Sequence, residues 1–187
     1  LVSSTGVIGV PLPVELIERG MPGMRDDLQD DPMVGAEGIM TTDTHPKALS
    51  ASVGEATITW VAKGSGMIEP NMATMLAYIF TDAALDAPTL DRLLREAVDV
   101  SFNMLSVDTD TSTSDTGAIL ANGLAGAVDE RAFRDTLVAG HLAHVRDGHH
   151  VTVRPRRLRD DELPVRERGD LREVRHYDHL RGLREPR

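Results

Sequence analysis

The densest cluster of residues able to do chemistry is a glycine-rich loop between two apolar runs, residues 62–76 (AKGSGMIEPNMATML). It carries Lys63, one of two lysines in the chain, and Thr74 at the start of the second apolar run. The loop lacks the Gly-Lys-Ser/Thr ending of a phosphate-binding loop, which excludes a nucleotide-binding P-loop here. Taken alone, its glycines are equally typical of a plain turn between two strands.

Two other clusters raise the question of a metal site. Three aspartates lie close together in sequence: Asp108, Asp110 and Asp115. They lack the glycine and glutamate spacing of a calcium loop, so a capped turn between a strand and a helix is the favoured interpretation. Four histidines form two pairs: His141 with His144, and His149 with His150. No convincing third ligand completes a zinc site, so we expect exposed histidines on a helix and no metal centre.

Composition limits the class of protein. The 187 residues are enough for one domain with a core, and 41% hydrophobic and 27% charged residues are typical of a globular protein. With no cysteine, disulfides, thiolate nucleophiles and cysteine zinc sites are excluded. No apolar run approaches the ~20 residues of a membrane span, and no secretory signal opens the chain, so we expect a cytoplasmic location. The start at Leu1 indicates a fragment.

The net charge of −10 is unevenly distributed along the chain. Residues 151–187 contain eleven arginines, no lysine and eight acidic residues, whereas the preceding sequence is acidic. This shift predicts a folded body at 1–145 and a divergent arginine-rich tail at 146–187. The tail has the composition of a disordered or frameshifted extension. A basic, partner-binding arm is the alternative, although the interleaved acids argue against nucleic-acid binding.

Apolar spacing predicts the elements that must position the loop. Helices are predicted at 14–19, 32–38, 88–103 and 129–145, and strands at 56–62 and 74–80. The helix at 88–103 has the clearest helical spacing of apolar residues. Mixed strands and helices in this order predict an α/β fold.

Four blocks of sequence, in this order, resemble the self-cleaving ornithine acetyltransferases (glutamate N-acetyltransferases) of arginine biosynthesis. The blocks are 4–13 (STGVIGVPLP), 39–47 (IMTTDTHPK), 63–76 (KGSGMIEPNMATML) and 101–123 (SFNMLSVDTDTSTSDTGAILANG). The resemblance implies a layered α/β sandwich of the ornithine acetyltransferase type, here truncated at both ends. It also implies that residues 1–145 are a fragment of the catalytic core.

The resemblance implies self-cleavage within the loop. In these enzymes the precursor cuts itself between an alanine and a threonine, here Ala73 and Thr74, and the new amino-terminal threonine becomes the nucleophile. A hydroxyl is a poor nucleophile near neutral pH and needs a base. The freed α-amine, with a reference pKa of about 7.7–8.0, can serve as that base on the same residue. Cleavage must therefore precede catalysis.

The remaining implied roles concern substrate. Thr5 and Gly6 match the oxyanion-stabilising positions, and Thr41, Lys63 and Thr74 match substrate-binding positions. The implied reaction moves an acetyl group from N-acetylornithine to glutamate through an acyl-threonine, with acetyl-CoA as a further candidate donor. The family pattern implies no cofactor, two cleaved chains that stay associated, and a homo-oligomer, with no nucleic-acid or membrane partner.

The family pattern ends near residue 145. An Asp-Gly-Glu-Gly-Ala-Thr-Lys segment is expected there, whereas residues 146–152 read RDGHHVT, so a substrate-binding glutamate is absent. Two alternatives to a working enzyme therefore stay open. One is a non-catalytic, truncated remnant of the family, and the other is a binding module that acts through the arginine-rich tail.

Overall fold

The computed structural model describes residues 3–69, 75–108 and 110–148. The elements follow one another as α1 (Val14–Gly20), α2 (Pro32–Gly38), β1 (Lys47–Val53), β2 (Ala56–Lys63), β3 (Leu76–Ala83), α3 (Ala87–Asp99), a 3-10 turn (Phe102–Met104), β4 (Thr116–Gly126) and α4 (Glu130–Gly148). The predicted tail and its boundary at 145/146 are not tested, since residues 149–187 lie outside the described ranges.

One four-stranded sheet organises these elements in the order β1-β2-β3-β4. The first three strands pair antiparallel, and a two-residue turn joins β1 to β2. Gly54 occupies that turn with a φ of 57°, a left-handed conformation that favours glycine. Strand β4 pairs parallel to β3. A parallel pair needs a crossover, and α3 supplies it.

Helices α3 and α4 cover one face of the sheet and enclose the main core. Helix α3 begins at an Asp86 cap, whose carboxylate accepts the Thr89 N–H at 2.8 Å, and it buries Leu90, Leu93 and Ala97. Helix α4 approaches the sheet closely at Gly140, because a Cβ there would lie 2.3 Å from a ring carbon of the buried Trp60. Glycine is therefore the residue that lets this helix contact the sheet.

The sequence correctly predicted the fold class and most elements. The structure is a mixed α/β arrangement, and the helices at 14–19, 32–38 and 129–145 and the strand at 56–62 are confirmed within a few residues. The strand predicted at 74–80 is described from Leu76 to Ala83. The layered sandwich of the ornithine acetyltransferase type stays a prediction.

Three expectations were wrong. The predicted helix at 88–103 ends at Asp99, because Ser101 leaves helical geometry and its Oγ donates to the Ala97 carbonyl at 2.6 Å. The aspartates at 108–115 connect the 3-10 turn to β4, rather than a strand to a helix. His141 and His144 are buried, not exposed, since the close contact of α4 with the sheet turns this part of the helix inward.

His141 shows the consequence of that burial. Its Nδ1 lies 2.7 Å from the Leu137 carbonyl oxygen, and its ring packs edge-on against Phe102 with centroids 4.5 Å apart. Burial lowers the pKa of His141 to about 4; the Leu137 contact opposes this lowering, and the nearby His144 adds to it. The residue is therefore a neutral core histidine near pH 7.

Candidate active site

Lys63 and Thr41, predicted to bind substrate, are brought into direct contact. Lys63 is the last residue of β2, and its Nζ donates to the Thr41 Oγ1 at 2.8 Å, across 22 residues of sequence. Lys63 is 2% exposed, whereas Thr41 is exposed. The ammonium group therefore lies at the end of the sheet, where a buried lysine reaches a hydroxyl at the surface.

A buried ion pair next to this contact stabilises it. Asp43 Oδ1 lies 2.5 Å from Lys47 Nζ, and both side chains are at most 8% exposed. The same oxygen accepts the Gly64 N–H at 2.8 Å, and Lys47 also donates to the Gly64 carbonyl at 3.0 Å. Asp43 Oδ2 accepts the Thr41 N–H at 3.3 Å. One carboxylate thus fixes the backbone beside both Thr41 and Lys63.

The electrostatic balance of this group leaves a positive charge. Burial is the largest influence on Asp43 and would raise its pKa, but hydrogen bonds from Lys47 and Gly64 outweigh it, so the pKa is lowered and the carboxylate is ionised. Burial lowers the pKa of Lys63; the Asp43 carboxylate opposes this, and Lys47 adds to the lowering. Two ammonium groups share one carboxylate, and Lys47 holds it directly. A bound anion beside Lys63 would neutralise the remaining positive charge.

The register of the sheet relates Lys63 to the predicted nucleophile. Lys63 is paired with Leu76 on β3, two residues beyond Thr74. Thr74 and Ala73 themselves lie outside the described residues, so their contacts are not tested. Strand β3, which follows the loop that contains the predicted cleavage bond, therefore begins directly opposite Lys63.

Thr5 and Gly6 lie in a different setting. Thr5 is half-buried and Gly6 is exposed. In the described ranges, no hydrogen bond joins either residue to Lys63 or Thr41. Close to them in sequence, the Ser3 hydroxyl forms a hydrogen bond with the Tyr78 hydroxyl on β3. Tyr78 and Lys63 share one face of the sheet, since Tyr78 pairs with Val61, two residues from Lys63. The segment that contains Thr5 and Gly6, the predicted oxyanion-stabilising residues, thus approaches the same face as Lys63.

Asp43 and Lys47 are parts of the candidate site that the sequence motifs did not predict. Both lie within the block at 39–47, and the available signal was that the chain has two lysines and both occur in matched blocks.

As for metal binding, within the described residues no three side chains of His, Asp, Glu or Cys are grouped so that they could hold an ion. No helix of those ranges is long and apolar enough to cross a membrane.

Comparison with known proteins identifies relatives along most of the chain. An "Arginine biosynthesis bifunctional protein ArgJ 2" from Nostoc sp. is 51% identical over 158 residues, which are 81% of this chain and 40% of the relative. "Glutamate N-acetyltransferase Oat2" from Streptomyces clavuligerus is 48% identical over 148 residues, 79% of this chain and 38% of that protein. An ArgJ protein from Thermotoga neapolitana is 55% identical over 130 residues, 67% and 33% respectively.

These matches fix the family and its extent. The chain spans about two fifths of the length of the relatives from Nostoc and Streptomyces. The model of the ArgJ family matches residues 1–153, which include all four of the sequence blocks and the whole described structure. By this match, and by its similarity to relatives named for arginine biosynthesis, the chain belongs to the ArgJ family.

Proposed function

We propose that this chain carries the nucleophile and part of the substrate site of an acetyltransferase that moves an acetyl group from N-acetylornithine to glutamate. The observation that carries the proposal is the Lys63–Thr41 contact, held by Asp43 and placed opposite Leu76 in the sheet. A buried ammonium whose charge the described residues leave unbalanced is suited to the α-carboxylate of an amino-acid substrate. The relatives' names, arginine biosynthesis and glutamate N-acetyltransferase, support the substrate class.

Self-cleavage at Ala73–Thr74 is the first step of the proposed mechanism. The Thr74 hydroxyl oxygen attacks the Ala73 carbonyl carbon, and the C–N bond breaks to leave an ester and a free Thr74 amine. Water then hydrolyses the ester, which gives the Ala73 carboxylate and restores the hydroxyl. The new α-amine is the base that the second reaction requires.

Acetyl transfer follows on the same hydroxyl. Thr74 attacks the acetyl carbonyl of N-acetylornithine, its proton passes through the α-amine to the departing ornithine nitrogen, and an acetyl-threonine forms. The amine of glutamate then attacks this ester and regenerates Thr74. Thr5 and Gly6 are proposed to stabilise the oxyanion, where loss of one donor costs on the order of 10²–10³ in rate.

The wider properties of the family are part of the same proposal. The layered sandwich, the lasting association of the two cleaved chains and their assembly into a homo-oligomer are expected from the resemblance, as is acetyl-CoA as a second donor. The alternative, a truncated remnant without turnover, makes the opposite prediction in the experiment below.

Trapping the acyl-enzyme tests the proposed function. With N-acetylornithine present and glutamate omitted, the fragment that begins at Thr74 should gain the mass of one acetyl group and lose it when glutamate is added. A Lys63→Met variant should require a much higher N-acetylornithine concentration for the same labelling, while a Lys47→Arg variant, which keeps the charge beside Asp43, should stay closer to the wild type. A cleaved protein that never acquires the acetyl group would refute acetyl transfer by this chain.

A further inference from the structure

The loop with the predicted cleavage bond is held on both sides by one stretch of chain. Of the described residues on its two sides, Met67 and Ile68 follow β2, and Met75 precedes β3. Both sides contact residues 107–116, the connection between the 3-10 turn and β4. The contacts on the two sides have the same form, a carboxylate on a backbone N–H and a backbone N–H on a carbonyl.

Asp108 holds the first side. Its Oδ2 accepts the Met67 N–H at 2.6 Å, and its Oδ1 accepts the Ile68 N–H at 2.9 Å. The next contact is the Val107 N–H, which donates to the Ile68 carbonyl at 2.7 Å. Met67 has a φ of 55°, a conformation that non-glycine residues rarely adopt, so its backbone requires external support.

The Asp108 carboxylate lies close to the backbone of residues 66–68. A Cβ at Gly66 would lie 3.3 Å from Asp108 Oδ2, which is tighter than an ordinary contact. The hydrogen bond from Met67 is the largest influence on Asp108 and lowers the pKa of its carboxyl group. The carboxylate is therefore ionised and accepts both N–H groups near neutral pH.

Asp115 holds the second side. Its Oδ1 accepts the Met75 N–H at 2.7 Å, and the Thr116 N–H donates to the Met75 carbonyl at 2.9 Å. The Met75 side chain is buried in a small core with Phe102 and Leu105, which anchors this side in the fold. Pairing of β3 with β4 then begins at Leu76 and Thr116.

We infer that Asp108 and Asp115 are positioning residues for self-cleavage, which hold the two sides of the loop so that Thr74 can reach the carbonyl carbon of Ala73. The inference rests on the proposed self-cleavage and adds residues to it. A hydroxyl attacks the preceding peptide carbonyl only in a narrow range of geometries, and a misplacement of about 1 Å can cost on the order of 10²-fold in rate. Met75 follows Thr74 directly, so the Asp115 contact acts one residue from the reacting hydroxyl.

Two substitutions at Asp115 test the inference. Asp115→Asn keeps an oxygen that can accept the Met75 N–H, whereas Asp115→Leu is similar in size and offers no acceptor. Cell-free translation followed by intact-mass measurement would give the rate at which fragments 1–73 and 74–187 form. We expect Asp115→Leu to slow cleavage by about tenfold or more, as loss of a charged hydrogen bond predicts, and Asp115→Asn to recover most of the rate.

Amide hydrogen exchange tests the contact without relying on cleavage. It would be measured by NMR in a Thr74→Ala background, so that every chain stays uncut. The Met75 amide should lose protection in Asp115→Leu and keep it in Asp115→Asn, while amides of α3 stay protected in both. A general loss of protection would show that Asp115→Leu has not folded. In that case the cleavage rate is measured for Asp108→Ala, because the Asp108 side chain is exposed. Asp110→Ala, at a neighbouring exposed aspartate, is the matched control.

The outcomes separate the two proposals. If the wild type cuts itself and folded Asp115→Leu and Asp108→Ala cut at the same rate, the positioning role is wrong and self-cleavage stands. If the wild type stays uncut, self-cleavage by this chain is wrong, and the positioning role falls with it. Slow cleavage in Asp115→Leu, with recovery in Asp115→Asn, supports the inference.

Discussion

The amino-terminal segment 3–31 and the region 39–69 both carry predicted site residues, but they are built in opposite ways. In the first, α1 has no buried residue, and apolar side chains such as Ile8 and Leu28 are about four-fifths exposed, at 82% and 80%. In the second, Asp43, Lys47 and Lys63 are buried and joined by hydrogen bonds.

The difference separates two ways of placing a functional group. Thr41 and Lys63 are held in place by the end of β2 and by the Asp43–Lys47 ion pair. Thr5 and Gly6 follow Ser3, whose hydrogen bond to Tyr78 is the described side-chain contact between this segment and the sheet. Substitutions in the two regions should therefore differ sharply in their effect on the free energy of unfolding.

Removing the buried carboxylate should have the largest effect. Asp43→Ala leaves the Lys47 ammonium buried without its partner and should lower the free energy of unfolding by about 3–5 kcal/mol, measured by urea denaturation. Asp30→Ala, an exposed aspartate of the amino-terminal segment, is the matched control and should stay within about 0.5 kcal/mol of the wild type. A double variant, Asp43→Leu with Lys47→Met, should recover much of the loss. Equal effects of Asp43→Ala and Asp30→Ala would contradict the comparison.

Acidification should weaken the body through His141. The unfolded chain protonates this histidine near the ordinary pKa of 6.5, whereas the folded chain does so only near 4, so the unfolded state binds more protons between these values. Stability contributed by the neutral ring is present above pH 6.5 and falls by about 3 kcal/mol as the pH drops towards 4. Denaturation midpoints measured at several pH values should fall less steeply for His141→Gln. An unchanged slope in that variant would rule out His141 as the source.

Filling the helix–sheet contact at Gly140 should have the next largest effect. Gly140→Ala forces a methyl group into the Trp60 ring and should destabilise the protein by about 1–3 kcal/mol, although alanine favours helices by about 1 kcal/mol. Gly20→Ala in α1 meets nothing within 4 Å and is the control. Gly20→Ala should leave the melting temperature unchanged or slightly higher. If Gly140→Ala has the same melting temperature as Gly20→Ala, α4 can move away from Trp60 and the prediction is wrong.

Truncating an apolar residue of α1 should have the smallest effect. Leu16 is 57% exposed, so Leu16→Ala should change the free energy of unfolding by no more than about 0.5 kcal/mol. Leu93→Ala, which removes a fully buried side chain of α3, should cost about 2–5 kcal/mol. A loss at Leu16 as large as that at Leu93 would mean that α1 is packed in solution.

Elements with strong local signals could be predicted from the sequence, and those defined by pairing could not. Helix α2 was predicted at its observed bounds, since Asp31 caps it and Pro32 opens it. Strands β1 and β4 were missed because their sequences, KALSASV and TGAILANGLAG, are rich in small residues with little strand preference. Their pairing with β2 and β3 decides their conformation.

The candidate site shows the same division. Lys63 and Thr41 were found through the sequence blocks, and the structure brings them into contact, while their substrate-binding roles stay a prediction. The supporting roles of Asp43, Asp108 and Asp115 depend on distances between residues 21 to 41 positions apart in sequence, which spacing along the chain does not reveal. The burial of His141 likewise follows from a helix–sheet distance set by Gly140.

The central claim, that Thr74 is a nucleophile released by self-cleavage, is tested most directly by the intact mass of the purified protein. The account predicts two fragments for the wild type, 1–73 and 74–187, and one uncut chain for the Thr74→Ala variant. If the wild type and the variant both remain a single chain, Thr74 does not act on its own peptide bond, and the claim is contradicted.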